Sequence, residues 1–361
     1  MLYAIIIAGG SGKRLWPKSR RKSPKFFLNV KGKKTLLEQT IDRAKKIMPI
    51  ENVMIITSEH HVHLIQKTLP WFPKGNIIAE PLSRNTAPAV CLGAALIKKK
   101  DSNSVIYVMP ADQIIENSDA ITEVFKLSAL ISRIKDSIIT IGIKPSFAST
   151  GYGYIKTAKL YKSLTSGSKY DIFKVSCFTE KPDSVKAKRF IKTKKYLWNS
   201  GIFIGRADIF LGEFKMHSPK VYVTAVRIAN SKGFKKIKQC LKRYYRDFPD
   251  VSIDYAIMEK TDKAFVIKAD FGWSDIGSWN VFQEYIMADK DKNAVDGEHI
   301  GIDTVNSIIM GERGHLIATA GIKDLVIVQT KEATLICSRK NCEDIKKLVE
   351  SAEKKGLARY L

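Results

Sequence analysis

Residues 5–27 read IIIAGGSGKRLWPKSRRKSPKFF, in which a short apolar run passes directly into a loop rich in glycine and in basic residues. Glycine has no side chain, so backbone N–H groups in such a loop can turn toward a polyanion and approach it closely. Lysine and arginine side chains add positive charge. The residues concerned are Gly9, Gly10, Gly12, Lys13, Arg14 and Lys25. The stretch therefore predicts a buried first strand followed by a phosphate-binding loop.

Two familiar phosphate-binding motifs do not match this loop. The P-loop requires a glycine where the chain has Ile7 and a hydroxyl residue where it has Arg14. A dinucleotide-binding fingerprint that starts at Gly10 would need a third glycine where Leu15 stands, and Pro17 disfavours an immediate long helix. A third type of phosphate loop remains.

The run G-G-x-G-x-R-L-x-P, followed about ten residues later by Pro-Lys, resembles the signature of the sugar-1-phosphate nucleotidylyltransferases. The resemblance implies that the loop from Gly9 to Arg14, including Ser11 and Lys13, binds a nucleoside triphosphate. Arg14 can neutralise the triphosphate with a forked guanidinium, and Lys25 can reach the reacting phosphate as a point charge. A basic surface loop after a first strand is the alternative.

Composition indicates a globular protein. The chain has 361 residues, of which 45% are hydrophobic and 27% charged, enough for one large or two modest cores. No secretory signal is evident, and no run approaches the roughly 18 apolar residues of a membrane-spanning helix. Five cysteines, without a C-x-x-C pair, argue against structural zinc and against a disulfide framework. We therefore expect a cytoplasmic protein.

The net charge of +25 raises the question of nucleic-acid binding. The basic residues are scattered, usually beside apolar residues at helical spacing, as on solvated helix faces. No motif that reads a nucleic-acid groove accompanies them. We expect no nucleic-acid or membrane partner, while the surplus charge attracts anionic substrates.

Apolar runs alternate with helical patterns through the first half of the chain, which predicts a doubly wound sheet of mainly parallel strands. Strands are predicted at 3–8, 53–57, 76–79, 105–109 and 138–143, with helices near 37–48 and at 60–69, 86–99 and 119–135. The loops at 9–14, 80–88 and 110–113 each follow a strand, so we expect them to converge on one crevice. The fold class is α/β, a Rossmann-like doubly wound mixed sheet of the nucleotidyltransferase type.

The pattern of apolar residues and glycines changes after residue 293. Short β-rich pieces at 307–310, 316–318, 325–329 and 334–337 alternate with glycines, which predicts a small β-rich, β-helix-like unit closed by a helix at 342–355. We expect a nucleotidyltransferase catalytic domain at 1–290 and a small C-terminal domain at 291–361. The C-terminal domain is predicted either to form a homodimer or to stack on its own catalytic domain.

Further motifs narrow the resemblance. Glu80-Pro81 and the run RNTAPA at 84–89 match the E-P-x-x-R-N-T-A-P-A element of the mannose-1-phosphate guanylyltransferases. Other matching motifs are PAD (110–112), GYGYI (151–155), FTEKP (178–182), WNSGIF (198–203), SIDYA (252–256) and GWSDIG (272–277). The resemblance covers most of residues 1–280. It implies transfer of GMP from GTP to mannose 1-phosphate, with release of pyrophosphate.

Glu80, Asn85 and Thr86 are assigned to the nucleotide. Guanine presents N1–H and N2–H₂ donors on one edge, so the carboxylate of Glu80, or carbonyls near Asn85, could select guanine over adenine. Alternatively, Glu80 caps the next helix or binds Arg84.

Asp112 and Asp275 are predicted to bind Mg²⁺. Asp112 follows a strand at its carboxyl end, where a carboxylate facing a triphosphate would be repelled unless a cation lay between them. Two carboxylates with phosphate oxygens and waters suit octahedral Mg²⁺. The alternative for Asp275 is a helix cap or a turn.

The resemblance places Gly153, Glu180, Lys181 and Asn199, together with Lys25, at the sugar phosphate. By themselves, a Glu-Lys pair is typical of a surface ion pair and an isolated asparagine of a turn. Only the order of the motifs favours a sugar site.

The implied reaction needs neither a covalent nucleophile nor a general base, because the attacking phosphate is already ionised. Arg14, Lys25 and Asp112 are the predicted catalytic residues: Arg14 for the leaving pyrophosphate, Lys25 for the α-phosphate and the sugar phosphate, and Asp112 for the metal. Lys13, Phe26 and Gln113 depart from the family pattern, but none removes a charge that the mechanism requires.

Some relatives carry a fused phosphomannose isomerase. Only His299 and His315 follow His217, and they do not form a metal-binding cluster, so isomerase activity is not expected. A nucleotidylyltransferase for another hexose 1-phosphate, and a GTP- or sugar-nucleotide-binding regulator without turnover, remain open.

Overall fold

The computed structural model of the chain describes residues 1–10, 12–30, 32–161, 168–231 and 233–361. These residues form two compact units that are each discontinuous in sequence. The first unit comprises Met1–Gly9, Thr40–Ala111 and Ile115–Trp273. The second comprises Gly10–Gln39, Asp112–Ile114 and Ser274–Leu361. The division into domains at residue 290 stays a prediction.

A nine-stranded sheet runs through the first unit, in the order β3-β2-β1-β4-β9-β6-β10-β8-β7. Its strands are β1 (Leu2–Ala8), β2 (Val53–Ser58), β3 (Ile77–Glu80), β4 (Val105–Pro110), β6 (Ile138–Ile143), β7 (Tyr154–Leu160), β8 (Asp171–Thr179), β9 (Tyr196–Arg206) and β10 (Ala264–Lys268). The short strands β5 (Ile114–Ile115) and β11 (Trp273–Ser274) complete the series up to residue 274. β9 is antiparallel to both β4 and β6, so the predicted mixed sheet is confirmed.

The carboxyl ends of the first four long strands lie along one edge of the sheet. β1 is parallel to β2 and to β4, and β2 is parallel to β3. These strands are almost wholly apolar and buried, as is usual for parallel strands with both faces covered. Glu80 is the last residue of β3 and Pro110 the last of β4. The motifs around Glu80 and Pro110 therefore begin where ligands bind in open α/β sheets.

Ten α-helices are found in the described residues. They are α1 (Leu36–Lys45), α2 (Glu59–Thr68), α3 (Thr86–Lys100), α4 (Ser118–Lys135), α5 (Ser184–Thr193), α6 (Ala207–His217), α7 (Pro219–Ala229), α8 (Phe234–Tyr244), α9 (Trp279–Phe282) and α10 (Ile345–Lys354). α3 packs closely on β1, because a Cβ at Gly93 would lie 2.6 Å from Ile5 Cδ1. None of these helices is both long and apolar enough to cross a membrane, as far as the described ranges show.

The second unit contains the C-terminal strands. These are β12 (Ala294–Asp296), β13 (Glu298–Ile302), β14 (Ile308–Met310), β15 (Leu316–Ala320), β16 (Leu325–Gln329) and β17 (Thr334–Ser338). They form two sheets, β12-β14-β16-β17 and β13-β15, in which every pair except β16 with β17 is parallel. Parallel strands from successive turns of the chain are the arrangement of a β-helix, so the predicted C-terminal β-rich unit is confirmed.

The predicted closing helix at 342–355 is shorter than expected. α10 begins at Ile345, and residues Arg339–Asp344 form a 3₁₀ helix before it. The tighter turn keeps Arg339 close to Asn306, whose Oδ1 lies 2.6 Å from Arg339 Nη1. This long-range contact could not be read from local helical spacing.

An apolar cluster explains why the segment 10–39 belongs to the second unit. Leu15 and Leu28 are buried with Trp279, Val326 and Val349. Burying one such aliphatic side chain contributes about 1.5–3 kcal/mol. The glycine-rich loop is thus anchored through Leu15 on the C-terminal part of the chain.

Candidate active site

The glycine-rich loop begins at the end of β1. A Cβ at Gly9 would lie 3.9 Å from Glu80 Oε2, and a Cβ at Gly10 would lie 3.8 Å from Asp112 Oδ2. Both glycines therefore lie close to a predicted site carboxylate. Ser11, predicted to bind the nucleotide, lies outside the described residues.

Gly12 is required for two independent reasons. Its φ of +57° lies in the left-handed region that favours glycine. A Cβ at this position would also lie 2.4 Å from Ser19 Oγ and 2.6 Å from Lys25 Cβ. A side chain here would therefore displace Lys25 itself.

We expect Gly12→Ala to destabilise the protein more than Gly32→Ala does. Gly32 also has a positive φ, of +77°, but a Cβ there would have no neighbour within 4 Å. Both variants carry the cost of backbone strain, while only Gly12→Ala adds overpacking, worth about 1–3 kcal/mol. Chemical denaturation measures the free energy of unfolding of both. Equal losses in the two variants would show that the contact with Lys25 is not tight.

Lys25 brings together the two carboxylates that were predicted to bind metal. Its Nζ donates to Asp112 Oδ2 at 2.9 Å and to the backbone oxygen of Asp275, and lies 4.0 Å from Asp275 Oδ1. The side chain is buried, with 6% of the residue exposed. Burial alone would lower the pKa of Lys25, but the charges of Asp112 and Asp275 outweigh it, so the pKa lies above its ordinary value. Lys25 is therefore a cation fixed in place by two acids.

The donor set at Asp112 and Asp275 fits Mg²⁺. Both carboxylates approach one ammonium group, so they are close enough to share a single cation. In the described ranges, no group of three or more histidine, cysteine or acidic side chains could hold a metal ion. Mg²⁺ is commonly bound by one or two carboxylates together with substrate phosphates and waters, rather than by an all-protein cage. A pair of carboxylates beside the glycine-rich loop is consistent with that chemistry.

Arg14 and Lys13 are held by acidic residues of the C-terminal part of the second unit. Arg14 Nε lies 2.7 Å from Glu343 Oε2, and Lys13 Nζ lies 3.7 Å from Glu353 Oε2. Arg14 and Glu343 are both well exposed, and pairs of this kind contribute about 1 kcal/mol or less. The Arg14 guanidinium can therefore exchange Glu343 for another anion at small cost.

Glu80 is a buried carboxyl at the end of β3. The Tyr245 hydroxyl donates a hydrogen bond to Glu80 Oε1. Burial raises the pKa of Glu80 to about 7, although the bond from Tyr245 acts in the opposite direction. Helix α3 is capped by Asn85 and not by Glu80, so one of the alternative roles for Glu80 is excluded. Tyr245 lies in no recognised motif, and the sequence analysis missed it.

Asn85 and Thr86 shape the loop that follows Glu80. Asn85 has a φ of +61°, and its side chain accepts a hydrogen bond from Thr86 N at 3.0 Å. The Thr86 hydroxyl oxygen accepts from Ile253 N at 2.9 Å. Contact of either residue with a nucleotide stays a prediction, and the Asn85 amide N–H groups and the Thr86 hydroxyl proton are the donors suited to it.

The four residues predicted at the sugar, other than Lys25, lie together in the first unit. Glu180 Oε1 is 2.7 Å from Lys181 Nζ. A Cβ at Gly153 would lie 2.6 Å from Glu180 Oε2 and 3.3 Å from Asn199 Cβ. Glu180 is shielded while Lys181 is mostly exposed. The cluster offers a carboxylate, an ammonium and an amide, which are the groups that sugar hydroxyls need as partners.

Asp254 joins this cluster, although the sequence analysis gave it no role. Asn199 Nδ2 donates to Asp254 Oδ1 at 3.2 Å. Burial, and then the nearby charge of Glu180, raise the pKa of Asp254 to about 7. The SIDYA motif at 252–256 was the available signal for this residue. Asp254 therefore binds a proton more tightly than an ordinary aspartate does.

We expect Asp254→Asn to gain stability relative to the wild type as the pH rises. The folded protein binds the Asp254 proton more tightly than the unfolded chain does, whose ordinary pKa is 3.8. Stability from this group is therefore complete below pH 3.8 and is lost as the pH rises toward about 7. The difference in Tm between the variant and the wild type should move in favour of the variant over that range. The exposed Asp250→Asn is the control, and an equally flat difference for both variants would contradict the assignment.

Two family models match the chain. The model described as nucleotidyl transferase matches residues 3–292. The model described as MannoseP isomerase/GMP-like beta-helix domain matches residues 297–351. The first includes Lys25, Glu80, Asp112 and Asp275, and the second covers most of the C-terminal strands.

Proteins of known name are similar over nearly the whole chain. Mannose-1-phosphate guanylyltransferase 2 of Escherichia coli O157:H7 is 35% identical, over 100% of this chain and 75% of its own length. Mannose-1-phosphate guanylyltransferase of Escherichia coli K12 is 36% identical, over 98% and 74%. The crystal structure described as mannose-1-phosphate geranyltransferase from Thermus thermophilus has a TM-score of 0.84 and 27% identity, over 98% of this chain and 99% of that one. The chain thus spans about three quarters of the length of its Escherichia coli relatives.

Proposed function

This chain belongs to the nucleotidyl transferase family, among its mannose-1-phosphate guanylyltransferases, and we propose that it transfers GMP from GTP to α-D-mannose 1-phosphate. The products are GDP-mannose and pyrophosphate. The observation that carries the proposal is the contact of Lys25 with both Asp112 and Asp275. A buried cation between two carboxylates, in a unit that also contains the glycine-rich loop, suits the transfer of a nucleotidyl group.

In the proposed reaction, a phosphate oxygen of mannose 1-phosphate attacks the α-phosphorus of GTP. A new oxygen–phosphorus bond forms, the bond from the α-phosphorus to the bridging oxygen breaks, and the electron pair leaves with pyrophosphate. The attacking oxygen is already ionised, so the protein has no proton to remove. Its contribution is to position two anions and to stabilise the charge that develops.

Lys25 is assigned to the α-phosphate and to the incoming sugar phosphate. Its ammonium is a compact charge with three donors. Because Asp112 and Asp275 hold it in place, little reorganisation is needed when substrate arrives. The Asp275 backbone oxygen fixes one of those donors, so the direction of the others is restricted.

Mg²⁺ is the proposed cofactor, held by Asp112 and Asp275. When bound, it would supply positive charge that neutralises phosphate oxygens and aligns them. The two carboxylates provide negative charge next to Lys25, so the metal and the ammonium together balance the polyphosphate. Arg14 is assigned to the leaving pyrophosphate, where its guanidinium exchanges Glu343 for a phosphate group.

Recognition of the two substrates is assigned to side chains of the first unit. Glu80 is proposed to accept from the guanine edge, with Asn85 and Thr86 contributing donors. Gly153, Glu180, Lys181 and Asn199 are proposed to bind the mannose. The close approach of Gly153 to Glu180 supports this assignment, because a larger residue would occupy the space beside the carboxylate.

Pyrophosphate release tests the function. Purified protein with Mg²⁺ is assayed across GTP, ATP, UTP and dTTP against mannose 1-phosphate and glucose 1-phosphate. We expect release only with GTP and mannose 1-phosphate. Turnover with a different pair would retain the mechanism and overturn the substrate assignment. Binding of GTP without turnover on any pair would favour a regulator.

We also propose that the protein acts in the cytoplasm as a homodimer, with no nucleic-acid or membrane partner. Support for a dimer comes from the sheet of β13 and β15, where Ile300, Ile302 and Leu316 share one face and are each more than half exposed. Sedimentation at micromolar concentration checks it. A monomer at every concentration would contradict the dimer without affecting the proposed chemistry.

A further inference from the structure

The 3₁₀ helix Tyr245–Asp247, which follows α8, contacts both the last residue of β3 and the loop after that strand. The Tyr245 hydroxyl donates to Glu80 Oε1, and Arg84 Nη2 donates to the backbone oxygen of Arg246 at 3.3 Å. All four residues belong to the first unit. One short helix, distant in sequence, therefore contacts both Glu80 and Arg84.

Tyr245 and Glu80 form a buried pair. The residue is fully buried, and its ring packs edge-on against Phe248 with 5.0 Å between centroids. Glu80 is also buried, with 8% exposed. The hydrogen bond between them is thus shielded from water, which makes it stronger than a comparable bond at the surface.

We propose that Tyr245 is a positioning residue for guanine recognition, which holds one oxygen of the Glu80 carboxylate so that the ionised group faces the N1–H and N2–H₂ donors of the base. The inference rests on the proposed function, because it requires that Glu80 meets the base of GTP. Glu80 Oε2 supports this orientation, since it lies only 3.9 Å from the position of a Cβ at Gly9, in the glycine-rich loop.

The ionisation state of Glu80 decides which purine it fits. An ionised carboxylate only accepts hydrogen bonds, and so matches the two donors of guanine. A protonated carboxyl offers one donor and one acceptor, which matches the N1 acceptor and the N6 donor of adenine instead. Burial favours the protonated form, and the bond from Tyr245 favours the ionised one. Tyr245 would thereby favour GTP over ATP.

Burial, the hydrogen bond between the two groups and the charge of Arg84 act on the ionisation of this pair. Glu80 receives the hydrogen bond of Tyr245, and Tyr245 in turn feels the charges of Glu80 and of Arg84. Burial, followed by the charge of Glu80, raises the pKa of Tyr245 above its ordinary value, so Tyr245 remains a donor throughout the working pH range. Loss of its hydroxyl therefore acts on Glu80 by raising the pKa of the carboxyl further.

The experiment is Tyr245→Phe, with kcat/KM measured for GTP, ITP and ATP at pH 6.5 and 8.5 and with nucleotide binding measured by calorimetry. At pH 6.5 we expect a loss of about ten- to a hundred-fold for GTP, as for a hydrogen bond to a charged group. The loss should shrink at pH 8.5, where Glu80 ionises again. The ratio of ATP to GTP use should rise at pH 6.5, and kcat at saturating GTP should change little.

Two controls make the outcome specific. Tyr244→Phe removes the adjacent tyrosine hydroxyl, which belongs to a half-buried side chain, and should behave as the wild type. Glu80→Gln should lose the pH dependence altogether. A Tyr245→Phe enzyme whose kcat/KM values match the wild type at both pH values would overturn the proposal. An equal loss of kcat/KM for all three nucleotides, with an unchanged pH profile, would overturn it as well.

The failure of the proposed function is distinguishable from the failure of this inference. If the wild type releases no pyrophosphate but binds GTP, the pH-dependent change in binding on Tyr245→Phe still decides the role of Tyr245. If the wild type binds none of the nucleotides, both the function and the inference are overturned. Thermal unfolding of each variant shows whether the fold is intact.

Discussion

Lys25→Ala is expected to lower kcat for GDP-mannose formation by about 10²–10³-fold. A preorganised donor aimed at developing charge is worth about 2.7–4 kcal/mol in an enzyme site. Lys25 meets that description, because it is buried and held by Asp112 Oδ2 at 2.9 Å and by the backbone oxygen of Asp275. Initial rates of pyrophosphate release at saturating GTP and mannose 1-phosphate measure the loss.

Two further variants show whether the position or only the charge of Lys25 matters. Lys25→Arg keeps the charge but replaces a compact ammonium by a larger planar group, so it should recover only part of the activity. Lys236→Ala removes an exposed lysine of α8 and should leave kcat unchanged. Full activity in Lys25→Ala would show that the contact with the two carboxylates has a structural role only.

The same substitution also tests the charge balance of the site. Without Lys25, the carboxylates of Asp112 and Asp275 lose the cation that they share and repel each other. Their affinity for another cation should then rise. We therefore expect Mg²⁺ to increase the Tm of Lys25→Ala more than that of the wild type, since a ligand of the folded state stabilises it.

The local pattern of the sequence predicted much of the sheet. The strand at 138–143 was predicted with its observed bounds, and β1, β2 and β4 differ from their predicted ranges by one residue at an end. Apolar runs bounded by turn residues are a local signal, so strands can be predicted from them without knowledge of the tertiary fold. The order of strands is different: the insertion of β9 between β4 and β6 depends on pairings between distant segments.

Motifs supplied the predicted site residues, but they did not indicate which side chains contact those residues. Lys25, Asp112 and Asp275 come from three separate motifs, which the structure brings together. Tyr245 and Glu343 stand in no motif, and each is singled out here by a contact with a residue far away in sequence. A sequence reveals a partner of this kind only when the fold is known.

The composition of the two units could not be predicted from the order of elements along the chain. The glycine-rich loop follows β1 in sequence, yet residues 10–39 pack with the C-terminal strands and α10. Leu15, inside the signature run, is an apolar anchor of that packing. The motif thus combines residues that are predicted to bind phosphate with a residue that packs in the core, and burial distinguishes the second kind from the first.

Asp112→Asn and Asp275→Asn are each expected to lower kcat by about 10²–10³-fold and to raise the Mg²⁺ concentration needed for half-maximal rate. Each substitution removes one negative charge from a pair of carboxylates that is proposed to hold the metal. The amide retains the size and one oxygen, so the fold should be little affected. Rates measured over a Mg²⁺ titration give both quantities.

The double variant distinguishes a shared metal site from two independent effects. Residues that act as one unit show strongly non-additive losses, so Asp112→Asn with Asp275→Asn should be little worse than either single variant. Asp270→Asn, an exposed carboxylate shortly before Asp275 in the chain, is the matched control and should show the Mg²⁺ dependence of the wild type. Losses that multiply in the double variant, with an unchanged Mg²⁺ requirement in each single variant, would mean that the two carboxylates serve to hold Lys25 rather than a metal.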